Sequence, residues 1–490
     1  MAIEGLKSYY KENWTSFHAL TEEQVEQVIL GAFDILENIG IKSNSHILEL
    51  YREAGAPIEG DIVKVPREMV IKAINSAPKS IKLYNRKTGD YIEVGGNKSY
   101  IGAGPTNPFF QDFETRERRR TTLEDCENCA KIMEALPEFN FLMSLSDPVD
   151  IEPELKDLYC LQAMLEYSDK PICSLPTNRY TVEEQGEMIK ALYGSLEAFA
   201  EKPSIIMLSG ETATPLCSEA EIFTDKQFYC AKNNIPQTVI SYIQLGTVAP
   251  VTLASAITMA IAENFYLLTM TQLVNPGCPD LCSLISGAVD MKSTRTCYST
   301  PEHVLCEAAG ADVFHYLNLP TLGTGGAVSS KIVDEQCAIE QAFTLGFSIL
   351  DGGNLIHNVG FMEDGITSHY DSLTMANDIA GYARRIKSGI RFDEETTDMN
   401  VIKEAGHGGT FLTRMETFQN CRKEIWYPEL HDRNNYAKWT SNGSTTLGER
   451  IHEKTKAILD APAESRLAPE VKEKFAEILA KANERVKSNR

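Results

Sequence analysis

One short stretch of the sequence gathers several side chains that could do chemistry. Residues 357–373 read HNVGFMEDGITSHYDSL and contain histidines, an amide, an adjacent acidic pair and aromatic residues. The stretch overlaps the apolar run NLIHNV, which predicts a buried strand that ends in polar groups. Either these groups pack inside the protein with their hydrogen bonds satisfied, or the strand end forms the floor of a binding site.

Polar and aromatic side chains also follow other apolar runs. The candidate site residues are Asn107, Phe109, Phe110, Glu211, Tyr242, Gln244, His357, Asn358 and Phe361. Aromatic walls with an isolated acid suit a large, weakly hydrated cation such as a quaternary ammonium, at roughly 0.5–2 kcal/mol per cation–π contact. Each ring alone is more often part of a core, so the hypothesis depends on several rings meeting at strand ends.

Other motifs give weaker signals. No HxxH or HxxxH pair and no GxSxG is present, and Cys126-x-x-Cys129 lies inside a helical pattern. Cys278 and Cys282 near Asp280 are a poor metal set, so we expect no metal site. The glycine-rich LGTGGAVSSK could hold a phosphate on backbone N–H groups or form a tight turn, and both readings stay open.

The elements that must position these residues alternate regularly from about residue 100. Apolar runs that predict strands lie at 99–105, 139–145, 171–176, 203–209, 236–242, 280–286, 319–325 and 354–360. Segments of helical length lie between or after them, at 121–136, 153–168, 182–200, 217–233, 251–273, 301–317, 334–350 and 372–388. Eight β-α units predict a parallel sheet covered by helices.

We expect an α/β protein with a closed (β/α)8 barrel, because eight units over about 290 residues fit that architecture. An open doubly wound sheet is disfavoured, since no GxGxxG follows the first strand and no Walker A motif is present. The predicted division is an N-terminal α/β extension at 1–95, the barrel at 96–390 and a C-terminal helical tail at 391–490. In such barrels the chemistry lies where the strands end.

Composition limits the partners. The 490 residues are 43% hydrophobic, and the net charge of -22 argues against a nucleic acid or an anionic membrane as partner. No run reaches about 18 uninterrupted apolar residues, and the N-terminus has no apolar core typical of a signal peptide. The 12 cysteines are scattered and do not form a disulfide pattern, which indicates a reducing cytoplasm.

Three long segments resemble the trimethylamine methyltransferase superfamily. They are AGPTNPFFQDFETRERRRTTLEDCENCAKIMEALPEFNF, NLIHNVGFMEDGITSHYDSLTMANDIAGYARRI and VIKEAGHGGTFLTRMETFQNCRKEIWYPELHDR. The resemblance covers nearly the whole chain, from the helix predicted at 21–40 to the tail. It implies a (β/α)8 barrel that passes a methyl group from a methylamine to cob(I)alamin on a separate corrinoid protein.

The founding members of that family carry pyrrolysine after strand seven, whereas this chain has only standard residues there, GTGGAVSSKIVDEQ at 323–336. The resemblance therefore implies the branch that acts on quaternary amines such as glycine betaine, proline betaine or carnitine. No histidine has Asp two residues before and Gly three after, the corrinoid-binding pattern. We accordingly expect no cofactor bound by this chain, with cobalamin carried by the partner, and we expect a homo-oligomer.

Roles follow for the candidate residues. We expect His357 to face the pocket as the catalytic residue and at least two of Phe109, Phe110, Tyr242 and Phe361 to touch the trimethylammonium head. Arg179, Arg295 and Lys331 are the candidates for a substrate carboxylate. Two alternatives stay open: a barrel lyase or isomerase using His357 with Glu211 or Glu363, and a quaternary-amine-binding protein without catalysis.

Overall fold

The computed structural model describes residues 3–488. Its helices are α1 (Glu22–Asp34), α2 (Ser45–Glu53), α3 (Arg67–Ser76), α4 (Leu123–Ala135), α5 (Lys156–Tyr167), α6 (Arg179–Tyr193), α7 (Leu196–Glu201), α8 (Glu221–Lys232), α9 (Leu253–Val274), α10 (Pro301–Tyr316), α11 (Glu335–Leu350), α12 (Tyr370–Lys387), α13 (Met399–Ala405), α14 (Met415–Glu424), α15 (Tyr436–Ser441), α16 (Leu447–Leu459) and α17 (Pro469–Ser488).

The strands are shorter and more numerous than predicted. They are β1 (Ile41–Ser43), β2 (Ile58–Glu59), β3 (Ile62–Val63), β4 (Ile81–Tyr84), β5 (Tyr91–Val94), β6 (Tyr100–Ala103), β7 (Phe109–Gln111), β8 (Arg118–Arg120), β9 (Ile172–Ser174), β10 (Ile205–Thr212), β11 (Cys217–Ser218), β12 (Gln237–Leu245), β13 (Asp280–Asp290), β14 (Arg295–Cys297), β15 (Leu322–Thr324), β16 (Leu355–Val359) and β17 (Thr367–Ser368).

Parallel pairing joins the strands that alternate with helices. One sheet has the order β14-β13-β12-β10-β9 and another the order β15-β16-β6. The predicted strand at 139–145 forms no regular ladder; it pairs only through parallel bridges of Phe139 with Ile101 and of Leu142 with Ile172. A further bridge, Cys282 with Thr321, links β13 to the segment just before β15. The pairings thus follow chain order and return to β6.

The inner faces of these strands meet in one apolar cluster, here called the central core. Its members from the alternating strands are Phe141, Met143, Cys173, Ile206, Leu208, Ile240, Leu281, Ile285, Leu322 and Leu355, with Tyr100 packed against them. The alternate residues, such as Ile205, Met207 and Ile356, belong to a different cluster beneath the helices. This period of two is the ordinary consequence of strand geometry.

The segment before residue 96 covers part of the sheet. The hairpin β4–β5 contributes Ile81, Leu83 and Val94 to the central core. Helix α9 is long and apolar enough by composition to cross a membrane, but 78% of its apolar window is buried inside the protein. It packs in the same cluster as α1, so its apolar character is explained by burial on all sides.

The helices after α12 differ in how many of their side chains are buried. Helix α17 places Phe475 and Leu479 in the cluster beneath the helices of the parallel sheet, and its Arg485 Nε lies 2.8 Å from Glu184 of α6. By contrast, α13 buries no side chain and α14 buries only Asn420.

Candidate active site

Five side chains form what we call the central site, at the carboxyl ends of the parallel strands: Glu211, Tyr242, Gln244, Tyr298 and His357. In β16, Leu355 belongs to the central core and Ile356 does not, so alternation directs His357 inward. In β12, Ile240 and Tyr242 face the central core in the same way.

A β-bulge turns Glu211 inward. The pairing of β10 with β12 shifts register between Leu208 and Gly210. A Cβ on Gly210 would lie 2.5 Å from Gln227 of α8, so that residue faces the helices. Thr212 donates to Glu263 of α9 at 3.0 Å, which places it on the same outer side. Glu211, between these two, therefore faces the interior.

The Glu211 carboxylate is unusual because it accepts no hydrogen bond from any residue between 3 and 488. Burial raises its pKa above the ordinary value, and the positive charge of Lys226 partly opposes this. Lys226 is itself buried and donates from Nζ to the carbonyl oxygen of Pro176 at 3.0 Å. A carboxylate in such surroundings can balance the charge of an organic cation.

Two tyrosines stand beside this acid. The hydroxyls of Tyr242 and Tyr298 are 2.7 Å apart, and Gln244 Nε2 donates to the Tyr242 hydroxyl at 3.1 Å. Burial raises the pKa of Tyr298 far above the ordinary value, and negative charge on Tyr242, Asp364 and Glu211 would raise it further. The Tyr298 phenol therefore stays neutral, and the rings of both tyrosines add aromatic surface to the site.

His357 is neutral in this environment. Burial lowers the pKa of its imidazole to about 4. Its Nδ1 lies 2.7 Å from the carbonyl oxygen of Gly323, which can only accept, so the ring proton sits on Nδ1. Nε2 is left as a hydrogen-bond acceptor, and the uncharged ring does not repel a cation in the central site.

A second buried histidine stands behind His357. The Nδ1 of His303 lies 2.8 Å from the carbonyl oxygen of Ser286, and burial lowers the pKa of this ring to about 4. Its ring centroid is 5.9 Å from that of Tyr298. Its Nε2 is buried and has no hydrogen-bond partner among residues 3–488. His303 thus supports the Tyr298 side of the site.

The polar groups of the opening stretch tie the surrounding loops together. Glu363 pairs with Arg118 at 2.8 Å and with Arg295 at 3.5 Å. Asp364 accepts from the Tyr298 N–H at 3.0 Å and from the Ser329 hydroxyl at 2.7 Å. The acidic pair therefore fixes the loops after β7, β13 and β15 above the central site.

The predicted aromatic residues are distributed unequally. Tyr242 lies in the central site, but Phe110 is fully buried, 4.5 Å from the Tyr370 ring. Phe109 is held between Arg118 and Arg120, whose guanidinium carbons are 3.8 Å and 4.8 Å from its ring centroid. Phe361 is buried against Gly104, so closely that a Cβ at position 104 would collide with its ring. Loops one and eight do meet, since β7 pairs with β17, yet these three phenylalanines serve packing contacts.

The two predicted amides also make structural contacts. Asn107 is fully buried and its Nδ2 donates to the Thr367 carbonyl oxygen at 3.0 Å. Asn358 has a positive φ of 69° and is buried against strand β6, where a Cβ on Gly104 would lie 2.7 Å from its Oδ1. Its Oδ1 finds no hydrogen-bond partner among the described residues. Asn358 closes the end of β16, next to the site.

None of the three basic candidates lies in the central site. Arg179 is exposed at the start of α6, 5.1 Å from the Tyr180 ring. Arg295 is engaged by Glu363, and Lys331 donates from Nζ to the Ser329 carbonyl oxygen at 2.7 Å. The buried cation beside Glu211 is instead Lys226, which the helical pattern of its segment concealed.

Tyr298 was also missed from the sequence. Strand β13 continues past the predicted end to Asp290, turns, and returns as the antiparallel strand β14. This hairpin carries Tyr298 back over the sheet. The sequence DMKSTR at 290–295 indicates a turn. It does not show how the strands on either side of the turn pair, so it could not place Tyr298.

The donor groups of the central site are few. Among residues 3–488 no group of three or more His, Cys, Asp or Glu side chains is placed to hold a metal ion. The central site has one carboxylate and one imidazole with aromatic neighbours. Such a set of groups is compatible with an organic cation.

These features define an α/β protein that gathers a carboxylate, tyrosine rings and a neutral histidine at the carboxyl ends of its parallel strands. Residues 3–486 match the family model described as trimethylamine methyltransferase (MTTB). The chain belongs to this family and is a methyltransferase.

Named relatives extend over nearly the full length. The chain is 29% identical to a glycine betaine methyltransferase of Desulfitobacterium hafniense over 96% of this chain and 98% of that protein. It is 26% identical to the trimethylamine methyltransferase MttB of the same species, covering 90% and 89% of the two chains. It is also 26% identical to MttB of Methanosarcina thermophila, covering 91% and 94%.

A solved structure is similar at the level of the fold. The crystal structure of the hydroxylamine MtmB complex superimposes with a TM-score of 0.50 at 11% sequence identity, covering 98% of this chain and 91% of that chain. This likeness supports an α/β fold of the same kind. The activity class comes from the family and not from this likeness: the chain is a methyltransferase, rather than the lyase, isomerase or non-catalytic binding protein considered from the sequence.

Proposed function

We propose that the protein transfers a methyl group from a quaternary amine of the betaine type to cob(I)alamin carried by a separate corrinoid protein. The observation that carries this proposal is Glu211, a half-buried carboxylate that accepts no hydrogen bond from residues 3–488. It pairs with Ile240 on the neighbouring strand, two residues before Tyr242, and its charge acts on Tyr298. Ring faces can hold a methylated ammonium group while the carboxylate balances its charge. The choice of a quaternary amine over a protonated one is supported by the standard residues at 323–336 and by the glycine betaine methyltransferase relative.

We also infer that the parallel strands close into a (β/α)8 barrel. Three observations support closure: the ladder between β16 and β6, the bridges that join the separate sheets, and a central core with side chains from all eight strand segments. The division into 1–95, 96–390 and 391–490 stays a prediction alongside it. In such a barrel, the central site lies at the mouth where barrels carry their chemistry.

The chemistry needs little from the protein beyond positioning. A quaternary amine is already cationic and departs as a neutral tertiary amine, so no side chain must donate a proton to the leaving nitrogen. Neutral His357 can accept a weak contact from the methyl groups through Nε2 and orient the N–CH₃ bond. Holding the bond in line and excluding water are the contributions that proximity can make.

The strength of binding must also be limited. Positive charge leaves the nitrogen as the methyl group is transferred, so excessive attraction to the ground state would slow the reaction. Burial raises the pKa of Glu211, and Lys226 lies near enough to affect it. We propose that the positive charge of Lys226 attracts a substrate carboxylate while the negative charge of Glu211 attracts the ammonium group. Together the two charges would select a zwitterionic substrate. The glycine betaine methyltransferase relative agrees with this substrate class.

The corrinoid group supplies a nucleophilic cobalt that accepts the methyl group. No histidine of this sequence has Asp two residues before and Gly three after, so we propose that the partner protein brings the group to the mouth. Loops there carry exposed apolar side chains, among them Val251 and Met291, which a partner could cover. We propose a cytoplasmic location on the composition of the chain, in which the cysteines described are free thiols.

Methyl transfer can be tested directly. The purified chain is incubated with a reduced corrinoid protein and a panel of glycine betaine, proline betaine, carnitine, choline and trimethylamine, and methylation is followed by the corrinoid absorption spectrum. We expect transfer from carboxylate-bearing quaternary amines and none from trimethylamine. Transfer from trimethylamine alone would overturn the proposal.

A matched pair of variants connects the activity to the site. Glu211→Gln should abolish most of the transfer, whereas Glu221→Gln, at an exposed position at the start of α8, should leave it unchanged. Equal effects of both variants would remove Glu211 as the basis of the proposal.

A further inference from the structure

A large apolar surface lies on the outside of the molecule, away from the central site. Helices α11 and α12 present a groove of about 360 Å³ lined by Phe343, Gly346, Phe347, Leu350, Tyr382 and Ile386. Phe343 is 61% exposed and Tyr382 is 55% exposed. Apolar side chains of this size are ordinarily buried when they are grouped. Among residues 3–488 the lining receives His431 from outside the two helices, and the groove stays open.

The segment that follows α12 has the same character. We call residues 390–427 the arm. Its helix α13 buries no side chain, and Phe392, Leu412 and Phe418 are 82%, 83% and 79% exposed. Helices of seven and ten residues are too short to be stable in water without packing. The arm therefore needs a surface to pack on.

Groove and arm form one continuous surface. A second groove, lined by Tyr382 and Ile386 from α12 and by Ile390, Ile425 and Trp426 from the arm, shares two residues with the first. The rings of Tyr382 and Trp426 meet edge to face with their centroids 5.5 Å apart. The surface thus combines a concave part with a projecting part.

We infer that a second copy of this chain covers this surface through a two-fold contact. The rings of Phe343, Tyr382, Phe392, Phe418 and Tyr427 are between 55% and 82% exposed. At about 150–250 Å² for each aromatic side chain, they alone present on the order of 700 Å². A stable interface uses about 800 Å² per partner. A groove and a projecting arm on the same surface allow each copy to fill the groove of the other, as a self-complementary contact requires.

The position of the surface argues against the corrinoid partner as its occupant. Helices α11 and α12 end at Leu350 and Lys387, at the end of the sheet where β16 begins with Leu355. The groove includes Leu350 and Ile386, so it lies towards that end. The central site is at the opposite end, where the strands terminate. A partner seated in the groove would not reach Glu211 or His357.

The mass of the whole chain in solution tests the contact. We expect light scattering coupled to size exclusion to give a dimer, or an even multiple, at micromolar concentration. Because each copy carries a net charge of -22, salt should strengthen the association by screening repulsion between copies. A monomer or an odd multiple would overturn the two-fold contact.

Matched variants locate the contact. Phe343→Asp and Phe418→Asp should each reduce the mass to that of the monomer, while Val251→Asp and Met291→Asp, which change exposed side chains near the mouth, should leave it unchanged. Circular dichroism and the thermal midpoint show whether each variant is folded. Unchanged mass in the folded groove and arm variants contradicts the inference.

A measurement on the unaltered chain covers the case in which a variant fails to fold. Amide hydrogens in α13 and α14 should exchange slowly at concentrations where the dimer forms and quickly after dilution. Free exchange at both concentrations contradicts the inference. Protection that appears only when the corrinoid protein is added would assign the surface to that partner instead and would equally overturn it.

Discussion

The central site and the arm surface depart in opposite ways from the usual distribution of polar and apolar groups in proteins. In the central site a carboxylate is partly buried without a hydrogen-bond donor among the described residues. On the arm surface, large apolar side chains are left in water. A partly buried unpaired charge and an exposed apolar surface are both costly in the isolated chain. The comparison teaches that each region is completed by something else: the first by a small cation and the second by a protein surface.

Removing the charge of Glu211 should have the largest effect on catalysis. Glu211→Gln keeps the volume of the side chain but removes the negative charge that faces the ammonium. We expect kcat/KM for a betaine to fall at least about thirtyfold, roughly 2 kcal/mol, with the thermal midpoint unchanged or raised because burial of the charged form is costly. A loss below about twofold would show that the ammonium binds elsewhere.

Loss of the His357 ring should have the next largest effect. His357→Ala should lower methyl transfer at least about tenfold, about 1.4 kcal/mol, while His46→Ala at an exposed position should not. Because the pKa of His357 is about 4, the ring stays neutral as the pH falls from 8 to 5.5, and kcat should show no titration of this group in that range. A kcat that follows a pKa near 6.5 and loses this dependence in His357→Ala would refute the neutral role.

The aromatic contacts should contribute less. Tyr298→Leu and Tyr242→Leu keep apolar volume but lose the ring, so affinity for the quaternary amine should fall by roughly 0.5–2 kcal/mol. An uncharged analogue with a tert-butyl group should bind about as before.

Phe110→Leu is the matched control for these two variants, since Phe110 packs against Tyr370. It should lower the thermal midpoint without changing KM. If the tyrosine variants weaken both ligands equally, the rings act through packing.

The pH dependence of KM tests whether Lys226 affects the protonation of Glu211. The charge of Lys226 lowers the pKa of Glu211, which burial raises. Lys226→Met should therefore raise the pKa of Glu211 further. Glu211 is charged only above its pKa, so KM for choline should begin to rise at a higher pH in Lys226→Met than in the wild type as the solution is acidified. Lys232→Met, exposed on the same helix, is the control. If the pH profile of KM is the same in Lys226→Met and in the wild type, the charge of Lys226 does not affect Glu211.

The smallest effect on catalysis should come from the arm. Phe418→Asp changes an exposed ring far from the central site, so kcat/KM per subunit should change by less than about twofold while the mass of the assembly changes. Glu211→Gln should do the opposite. If Phe418→Asp also removes activity without unfolding, the two regions are coupled, and the contrast between them is wrong.

The sequence predicted the alternation of strands and helices with little error. The predicted helix at 121–136 is α4, and that at 251–273 is α9. Apolar periodicity is local, so it can be read along the chain. The exception is 139–145, which pairs only through bridges, because ladder formation depends on the neighbouring strands and not on the segment itself.

The candidate site was predicted less completely. His357, Tyr242, Gln244 and Glu211 were predicted from their places at the ends of apolar runs, and the structure places them at the carboxyl ends of parallel strands. Their roles stay predictions. Phe110 was not separable from them by sequence, since a ring before a loop can pack beneath it or face the site. Two residues were missed. Tyr298 comes from a hairpin, 56 residues after Tyr242, whose hydroxyl it meets. Lys226 comes from a helix, 15 residues after Glu211, whose charge acts on it.

By itself, the sequence determined the order of the elements, the polar strand ends and the family resemblance, because these depend on residue types and local spacing. Only the tertiary structure decided which side chains share the central site. Strict alternation from Leu208 would turn Glu211 outward, but the register shift between Leu208 and Gly210 turns it inward. The hairpin of β13 and β14 brings Tyr298 to within 2.7 Å of Tyr242. Both depend on how strands pair, and pairing is set by residues distant in the chain.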